Sequence, residues 1–288
     1  MPSLRERFRK SPIAVSAYRY LQKNLGMQRA GDFLAHYFDA RIRCKVTPFG
    51  FSLYGRGSAV NRRMMAGTYE VDDLREYQRL IRGHDVFVDI GGNIGYYTSH
   101  ALALGKSVVC CEPQFSNLEC LYRTLDANQW FDRCEVFPLG LAATPGITRL
   151  FGRSGGSASL IKGWDGYSSG YYQYIPLSTL DIVLGNRFAG RKVFIKIDVE
   201  GSELAVLHGA RQVLDMSPRP TFLVEIGLHE FHPAGLNPDF EKIFSLFWNA
   251  GYQARLAHSS ETVGAADVAA WIARRRTDHG QVDYVFAP

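Results

Sequence analysis

Residues 85–100 read DVFVDIGGNIGYYTSH, and the fold hangs on them. Val86, Phe87, Val88, Asp89 and Ile90 make a short, nearly all-apolar, β-branched run. Such a run predicts a strand buried on both faces of a parallel sheet. It breaks into Gly91-Gly92-Asn93-Ile94-Gly95, and from Tyr96 the residues YYTSHALALG resume at helical spacing. Strand, glycine turn and helix in that order aim free backbone N–H groups and a helix N-terminus at a ligand. The glycines stand at 91, 92 and 95, so the dinucleotide spacing G-x-G-x-x-G is not met. Asp89, at the strand's last turn, suits a ligand that presents an amine or hydroxyls there, and a pyrophosphate would not want that carboxylate so close.

The glycines alone are also compatible with a tight strand–helix turn that holds nothing. The next unit changes that balance. Ser107, Val108, Val109, Cys110 and Cys111 form a second apolar strand, and Glu112 closes it, 17 residues beyond Gly95. An acid at the tip of the second strand can accept both ribose hydroxyls of a nucleoside. A glycine turn with a ribose acid, but without dinucleotide spacing, points to S-adenosyl-L-methionine.

Four blocks carry a resemblance: VFVDIGGNIGYYT, CCEPQFSNLECL, IKIDVEGSELAVLHGA and RPTFLVEI, in that order. With Gly67-Thr68-Tyr69-Glu70 upstream and Ser178-Thr179-Leu180-Asp181 before the third block, they resemble the FkbM-type family of S-adenosylmethionine-dependent O-methyltransferases. The resemblance covers roughly residues 67–226, with a weaker fit beyond, and the first 60-odd residues lie outside it. It implies an α/β class: a class I methyltransferase Rossmann-like sheet, mostly parallel with one antiparallel strand near the C-terminus, flanked by helices. A helical and hairpin cap over residues 1–66 would precede a methyltransferase domain over 67–288. The cofactor-binding candidates are Asp89, Gly91, Gly92, Asn93, Gly95 and Glu112, with Asn117, which matches a family position beside Glu112.

The chain has 288 residues, 46% of them apolar, enough for one large α/β domain or two small ones. No apolar run approaches the roughly 20 residues that span a bilayer, and MPSLRERFRK lacks the apolar core of a secretory signal. Cys44, Cys110, Cys111, Cys120 and Cys134 are odd in number and form no C-x-x-C, which is reduced, core-type usage and points to the cytoplasm. The net charge of +5 is uneven: residues 1–63 hold 13 Lys/Arg against 3 Asp/Glu, and the remainder 20 against 25. A nucleic-acid partner is therefore not expected for the catalytic part. The basic front reads two ways. It is a packed helical cap with a solvated face, or an amphipathic segment for peripheral contact with a membrane or anionic glycolipid through residues 1–63.

Along the chain, residues 1–45 predict two or three short helices, and Val46–Ala59 a hairpin around Pro48-Phe49-Gly50. A helix is expected from Val71 to Arg82, another from about Ser116 with that residue as N-cap, and a third strand at Cys134–Pro138. Ile147–Phe151 is a strand leading into Gly152-Arg153-Ser154-Gly155-Gly156. That run matches G-x-S-x-G, but no helix follows it, as a hydrolase elbow requires. Ser157–Tyr174, rich in glycine and aromatics, reads as a loop over a pocket whose rings suit a sugar's apolar face. Val193–Ile197 and Thr221–Ile226 are further central strands, with one helix from Ser202 to near Leu214 between them. A helix over Asp239–Asn249 and strands at Tyr252–Leu256 and Val282–Phe286 complete the sheet.

Ligands of open α/β sheets sit outside the carboxyl ends of the strands, where Asp89, Glu112, Asp198, Glu225 and His229 all fall. Asp198, Glu200 and His229 are the catalytic candidates for deprotonating or positioning an acceptor hydroxyl. The alternatives are a helix cap for Asp198, a surface residue for Glu200 and a plain loop histidine for His229. No metal is assigned: His229 and His232 do not make a zinc motif, although Asp198 with Glu225 would offer oxygen ligands to a hard cation. Two functions stay open. One is an O-methyltransferase acting on a hydroxyl of a sugar, glycolipid or glycosylated small molecule; the other is a nucleoside- or dinucleotide-binding Rossmann-type protein without methyl transfer.

Overall fold

A computed structural model describes residues 41–152, 157–164, 170–280 and 282–288. Residues 1–40, most of the cap expected over 1–66 and of the basic contact expected through 1–63, and residues 153–156 and 165–169 of the glycine-rich stretch lie outside the described residues. Among the described residues, no helix is long and apolar enough to cross a membrane.

The chain starts with a two-stranded hairpin, β1 (Arg43–Val46) and β2 (Ser52–Gly55), followed by helices α1 (Ala59–Ala66) and α2 (Val71–Ile81). The hairpin was expected to run on to Ala59. Instead α1 begins there, because Ser58 Oγ accepts from Asn61 N at 3.1 Å and Gly67 ends the helix in the left-handed region. Then come β3 (Val86–Ile90), α3 (Tyr96–Ala103), β4 (Ser107–Cys111), α4 (Phe115–Ala127) and β5 (Cys134–Phe137). Helix α4 is entered through Gln114, not Ser116, whose hydroxyl is buried without a partner.

A small second sheet follows: β6 (Gly140–Leu141), β7 (Gly146–Phe151) and β8 (Tyr172–Ser178). The loop expected to reach Tyr174 ends at Tyr171, three residues earlier, since Tyr172 and Tyr174 already pair with β7 in antiparallel register. Helix α5 (Leu180–Leu184) leads to β9 (Val193–Ile197). The single helix expected after Ser202 is two, α6 (Glu203–His208) and α7 (Arg211–Leu214). They part at Gly209, where a Cβ would stand 2.2 Å from Ala142 O. The chain closes with β10 (Thr221–Glu225), α8 (Phe240–Asn249), β11 (Gln253–Leu256), β12 (Thr262–Val263), α9 (Ala265–Arg274) and β13 (Asp283–Ala287).

The main sheet has the order β12-β11-β13-β10-β9-β3-β4-β5. From β10 to β5 all pairs are parallel; β13 inserts antiparallel between β10 and β11, and the two-residue β12 also runs against its neighbour. The chain builds β3, β4 and β5 outward in one direction and then returns to add β9 and β10 on the other side of β3. The strand order therefore reverses between β3 and β9, which is where open α/β sheets bind their ligands.

Alternation along the strands separates two cores. Val86, Val88, Ile195, Val224 and Tyr284 face one, and Phe87, Phe194, Leu223 and Val285 face the other, with Tyr77, Leu121 and the hairpin's Phe51 and Leu53. On that second face, the next side chains toward the sheet's carboxyl edge are Asp89, Lys196, Glu225 and Asp283. Asp89 is the register partner of Lys196, and Glu225 that of Asp283. An apolar layer thus gives way within two residues to a row of ionisable side chains.

Candidate active site

A cavity of about 310 Å³ opens at this reversal. Its floor is the turn after β3. Gly91 N and Gly92 N both donate to Cys111 O, at 2.9 and 3.2 Å, tying the turn to the end of β4. Gly91 takes φ +88°, and a Cβ there would lie 1.9 Å from Asp198 O. Only glycine lets the β3 and β9 turns approach so closely. Asp198 N donates to Ile90 O at 3.0 Å and joins the two turns further. Gly95 does not line the cavity; it starts α3 in the left-handed region, and a Cβ there would meet Leu121 at 2.5 Å. It therefore serves the packing of α3 on α4.

The carboxylates of this floor differ in partners. Asp89 is buried and its Oδ2 accepts from Thr98 N at 3.1 Å and Thr98 Oγ1 at 2.6 Å. Burial raises its pKa, with the Thr98 bonds pulling the other way. Glu112 is 4% exposed and accepts from Asn93 N at 2.7 Å, Gln114 N at 2.8 Å and Asn117 Nδ2 at 3.3 Å. Burial pushes its carboxyl up to about 7 against those three donors. Asn93 holds φ +51°, and its Oδ1 is buried without a partner.

The other end of the cavity gathers Tyr69, Glu70, Lys196, Asp198, Glu200 and Glu225. Lys196 is 4% exposed; its Nζ lies 2.6 Å from Asp198 Oδ2 and 4.8 Å from the ring centre of Tyr97. Tyr97 OH in turn donates to Glu70 Oε2 at 2.8 Å. Burial disfavours the charge on Lys196, but Asp198, Glu70, Glu225 and Asp283 overcome this and hold its pKa above the usual lysine range. The Asp198 charge, then burial, push Glu225 well above the carboxylate range, and burial does the same to Asp283. Glu200 stands at φ +55° and accepts from Trp164 Nε1 at 2.6 Å through Oε2, while its carbonyl accepts from Ser159 Oγ at 2.6 Å. Residues 157–164 thus pack over the turn after β9. Glu203 is buried behind that turn, takes Gly201 N at 2.9 Å and is pushed by burial to about 7.

Backbone strain marks the same place. Among the described residues, six non-glycine residues have positive φ, and four of them, Glu70, Asn93, Glu200 and Phe231, line this cavity. Strained backbone persists where surrounding structure over-determines it, most often at ligand sites.

The cavity therefore brings together Asp89, Gly91, Gly92, Asn93, Glu112, Asn117, Asp198 and Glu200. It leaves His229 out: that side chain is exposed, sits 2.9 Å from Glu230 Oε1 and does not line the cavity. Lys196, Glu70 and Tyr97 are members that sequence spacing did not single out, although Glu70 stands in the GTYE block. Among the described residues, no group of three or more His, Cys, Asp and Glu side chains is arranged to hold a metal ion.

Sheet order and site geometry define a class I methyltransferase fold with its ligand cavity at the strand reversal. Residues 89–254 match the methyltransferase FkbM domain, and the chain belongs to that family. Among solved structures, an FkbM methyltransferase from Methylobacillus flagellatus is 20% identical over 70% of this chain and 43% of that one, with a TM-score of 0.43. This chain thus spans less than half of that protein's length. An O-methyltransferase from Bacillus cereus, determined in complex with SAH, is 12% identical over 94% and 96% of the two chains, with a TM-score of 0.42. No curated protein matches the chain.

Proposed function

We propose that the protein is an S-adenosyl-L-methionine-dependent O-methyltransferase acting on a hydroxyl of a sugar, glycolipid or glycosylated small molecule. The observation that carries this reading is the join of Gly91 to Asp198, which brings the glycine turn beside a carboxyl group in one cavity. The chain's residues fit the cofactor: Asn93 Oδ1 is a buried acceptor lacking a donor, and Glu112 is an acid fixed by three N–H groups where ribose hydroxyls would be met. Asp89, Gly91, Gly92 and Asn117 complete that half.

When bound, the cofactor supplies a methyl group on a positively charged sulfur, open to in-line displacement by an oxygen nucleophile. The protein's own contribution is positioning, which can be worth roughly 7–11 kcal/mol, and removal of the acceptor's proton. Asp198 is the base: Oδ2 is held by Lys196, and Oδ1 has no hydrogen bond to a described residue. Glu200, fixed by Trp164, shapes the acceptor end, and the rings of Tyr69, Tyr96 and Phe231 in the lining suit the apolar face of a sugar. A passive nucleoside binder would have no use for Asp198 and Glu200 opposite the cofactor floor.

S-adenosylhomocysteine is expected to bind in the micromolar range, on the order of −8 kcal/mol. At 100-fold excess over Kd it should stabilise the fold by about 2.7 kcal/mol, read as a rise of several degrees in Tm. Tight NAD binding with no response to the sulfur ligand would sink the proposal. A screen of labelled S-adenosylmethionine against glycans and lipid extracts then identifies the acceptor.

The position of Glu112 adds a pH dependence. With its carboxyl raised by burial to about 7 in the fold, the stability its protonated form contributes is lost as pH rises from the ordinary carboxylate range through about 7. Ribose hydroxyls are met by the ionised form, so S-adenosylhomocysteine affinity should rise between pH 6 and 8. Glu203 titrates in the same range and colours any stability profile, so the measurement is calorimetric affinity, with Glu112→Gln as the control that should flatten it. A parent protein whose affinity does not change with pH would remove Glu112 from the ribose.

A further inference from the structure

Lys196 is the least expected residue of the cavity, a lysine in the middle of the apolar strand VFIKI and 4% exposed. Burying an ammonium without partners is prohibitive, so its surroundings must want a cation. They do, from every side. Asp198 on the turn after its own strand lies at 2.6 Å, and the Tyr97 ring of α3 lies 4.8 Å from Nζ. Asp89 is its register partner on β3; Glu225 and Asp283 continue the same row on β10 and β13, and Glu70 reaches in ahead of α2. Tyr97 is itself anchored by its hydroxyl to Glu70, so the ammonium is clamped between a fixed ring and a fixed carboxylate.

We propose that Lys196 is the built-in counter-cation of the acceptor end, a positioning residue that holds Asp198 Oδ2 and keeps that carboxyl aimed among the other acids around it. The inference rests on the O-methyltransferase reading for its catalytic consequence, but not for the clamp itself. Without the ammonium, Asp198 would face Glu225, Glu70 and Asp283 with its Oδ2 unpartnered; it would turn away, and that change displaces the base. The cation is supplied by the chain, at a place where two acids alone would otherwise invite a soluble one.

The test is chemical rescue. Lys196→Ala leaves a channel the length of a propyl chain, so the probe is propylammonium chloride, with propan-1-ol as its uncharged match. Lys196→Ala should melt below the parent. Propylammonium should return at least about 2 °C of that loss, a shift that thermal scans of a chain this size resolve. Propan-1-ol should not, and neither the parent nor Lys196→Ala/Asp198→Asn should respond to the ion. In the methyl-transfer assay, Lys196→Ala should lose at least about 100-fold in kcat and regain tenfold or more with the ammonium ion, a loss of the size that a displaced base produces. S-adenosylhomocysteine affinity should stay within a few-fold.

The proposal is overturned if the ammonium ion shifts parent and variants alike, or if folded Lys196→Ala turns over like the parent. Should Lys196→Ala not fold, Lys196→Met keeps the stem against Tyr97. Folding regained in Lys196→Met/Asp198→Asn supports the clamp; a folded Lys196→Met with parent kcat overturns it. Failure of the methyltransferase reading shows separately, as no S-adenosylhomocysteine binding by the parent, while the stability rescue still reports on the clamp.

Discussion

Asp198→Asn should cut turnover by about 10²–10⁴-fold, the usual contribution of a placed base, while S-adenosylhomocysteine affinity stays within a few-fold. Asparagine keeps the shape of the side chain and a carbonyl oxygen for Lys196 Nζ, now 2.6 Å from Oδ2. It loses the negative charge, so the acceptor's proton has nowhere to go on this residue. The cofactor floor is untouched, because the Asp198 atoms that join it are backbone: its N–H bonds to Ile90 O and its carbonyl lies against Gly91. Radiolabel transfer and calorimetry on one preparation separate the two halves. A folded variant that binds the ligand and turns over at the parent's rate would reduce Asp198 to a structural partner of Lys196.

Gly91→Ala should have the largest effect on the fold itself. Two penalties coincide there: a φ of +88° and a Cβ placed 1.9 Å from Asp198 O. The first costs an L-residue about 1–2 kcal/mol. The second cannot be relieved by a side-chain rotation, since the obstructing atom is backbone between two central strands. Gly105 is the control, because at φ +76° it has nothing within 4 Å of an added Cβ. Gly105→Ala should melt only a few degrees below the parent, and Gly91→Ala far lower, with S-adenosylhomocysteine binding lost. If the two alanine variants melt together and both bind, the β3 and β9 turns are not locked as described.

Much of this architecture was legible in the chain. The β3, β4, β9 and β10 strands announce themselves as buried β-branched runs, and Glu112 stands where the second strand of such a unit ends. What failed was local punctuation or lateral neighbourhood. The caps of α1 are present in Ser58 and Gly67, but glycines at 55 and 57 equally suit the close of a longer hairpin. Tyr172 and Tyr174 sit among glycines that look like loop, and their strand exists only because β7 pairs with it. Helix α9, with Val268 and Trp271 buried, goes beyond the elements expected from the sequence. Lys196 could not be placed by inspection of VFIKI, because its meaning comes from Asp89 and Glu225 on neighbouring strands. His229 shared the correct edge of the sheet, yet a loop turned it toward Glu230 and water.

The antiparallel insertion of β13 between β10 and β11 has a consequence for synthesis. Both flanking strands leave the ribosome before the one that joins them, so β10 must wait with a bare edge while α8, β11 and α9 are made. Asp283, which completes the row of ionisable side chains beside Glu225, arrives with that late strand. The neighbourhood of Lys196 and Glu225 is therefore completed last. A nascent chain arrested ahead of β13 would carry the turn after β3 complete and β10 with Glu225 still lacking its partner strand.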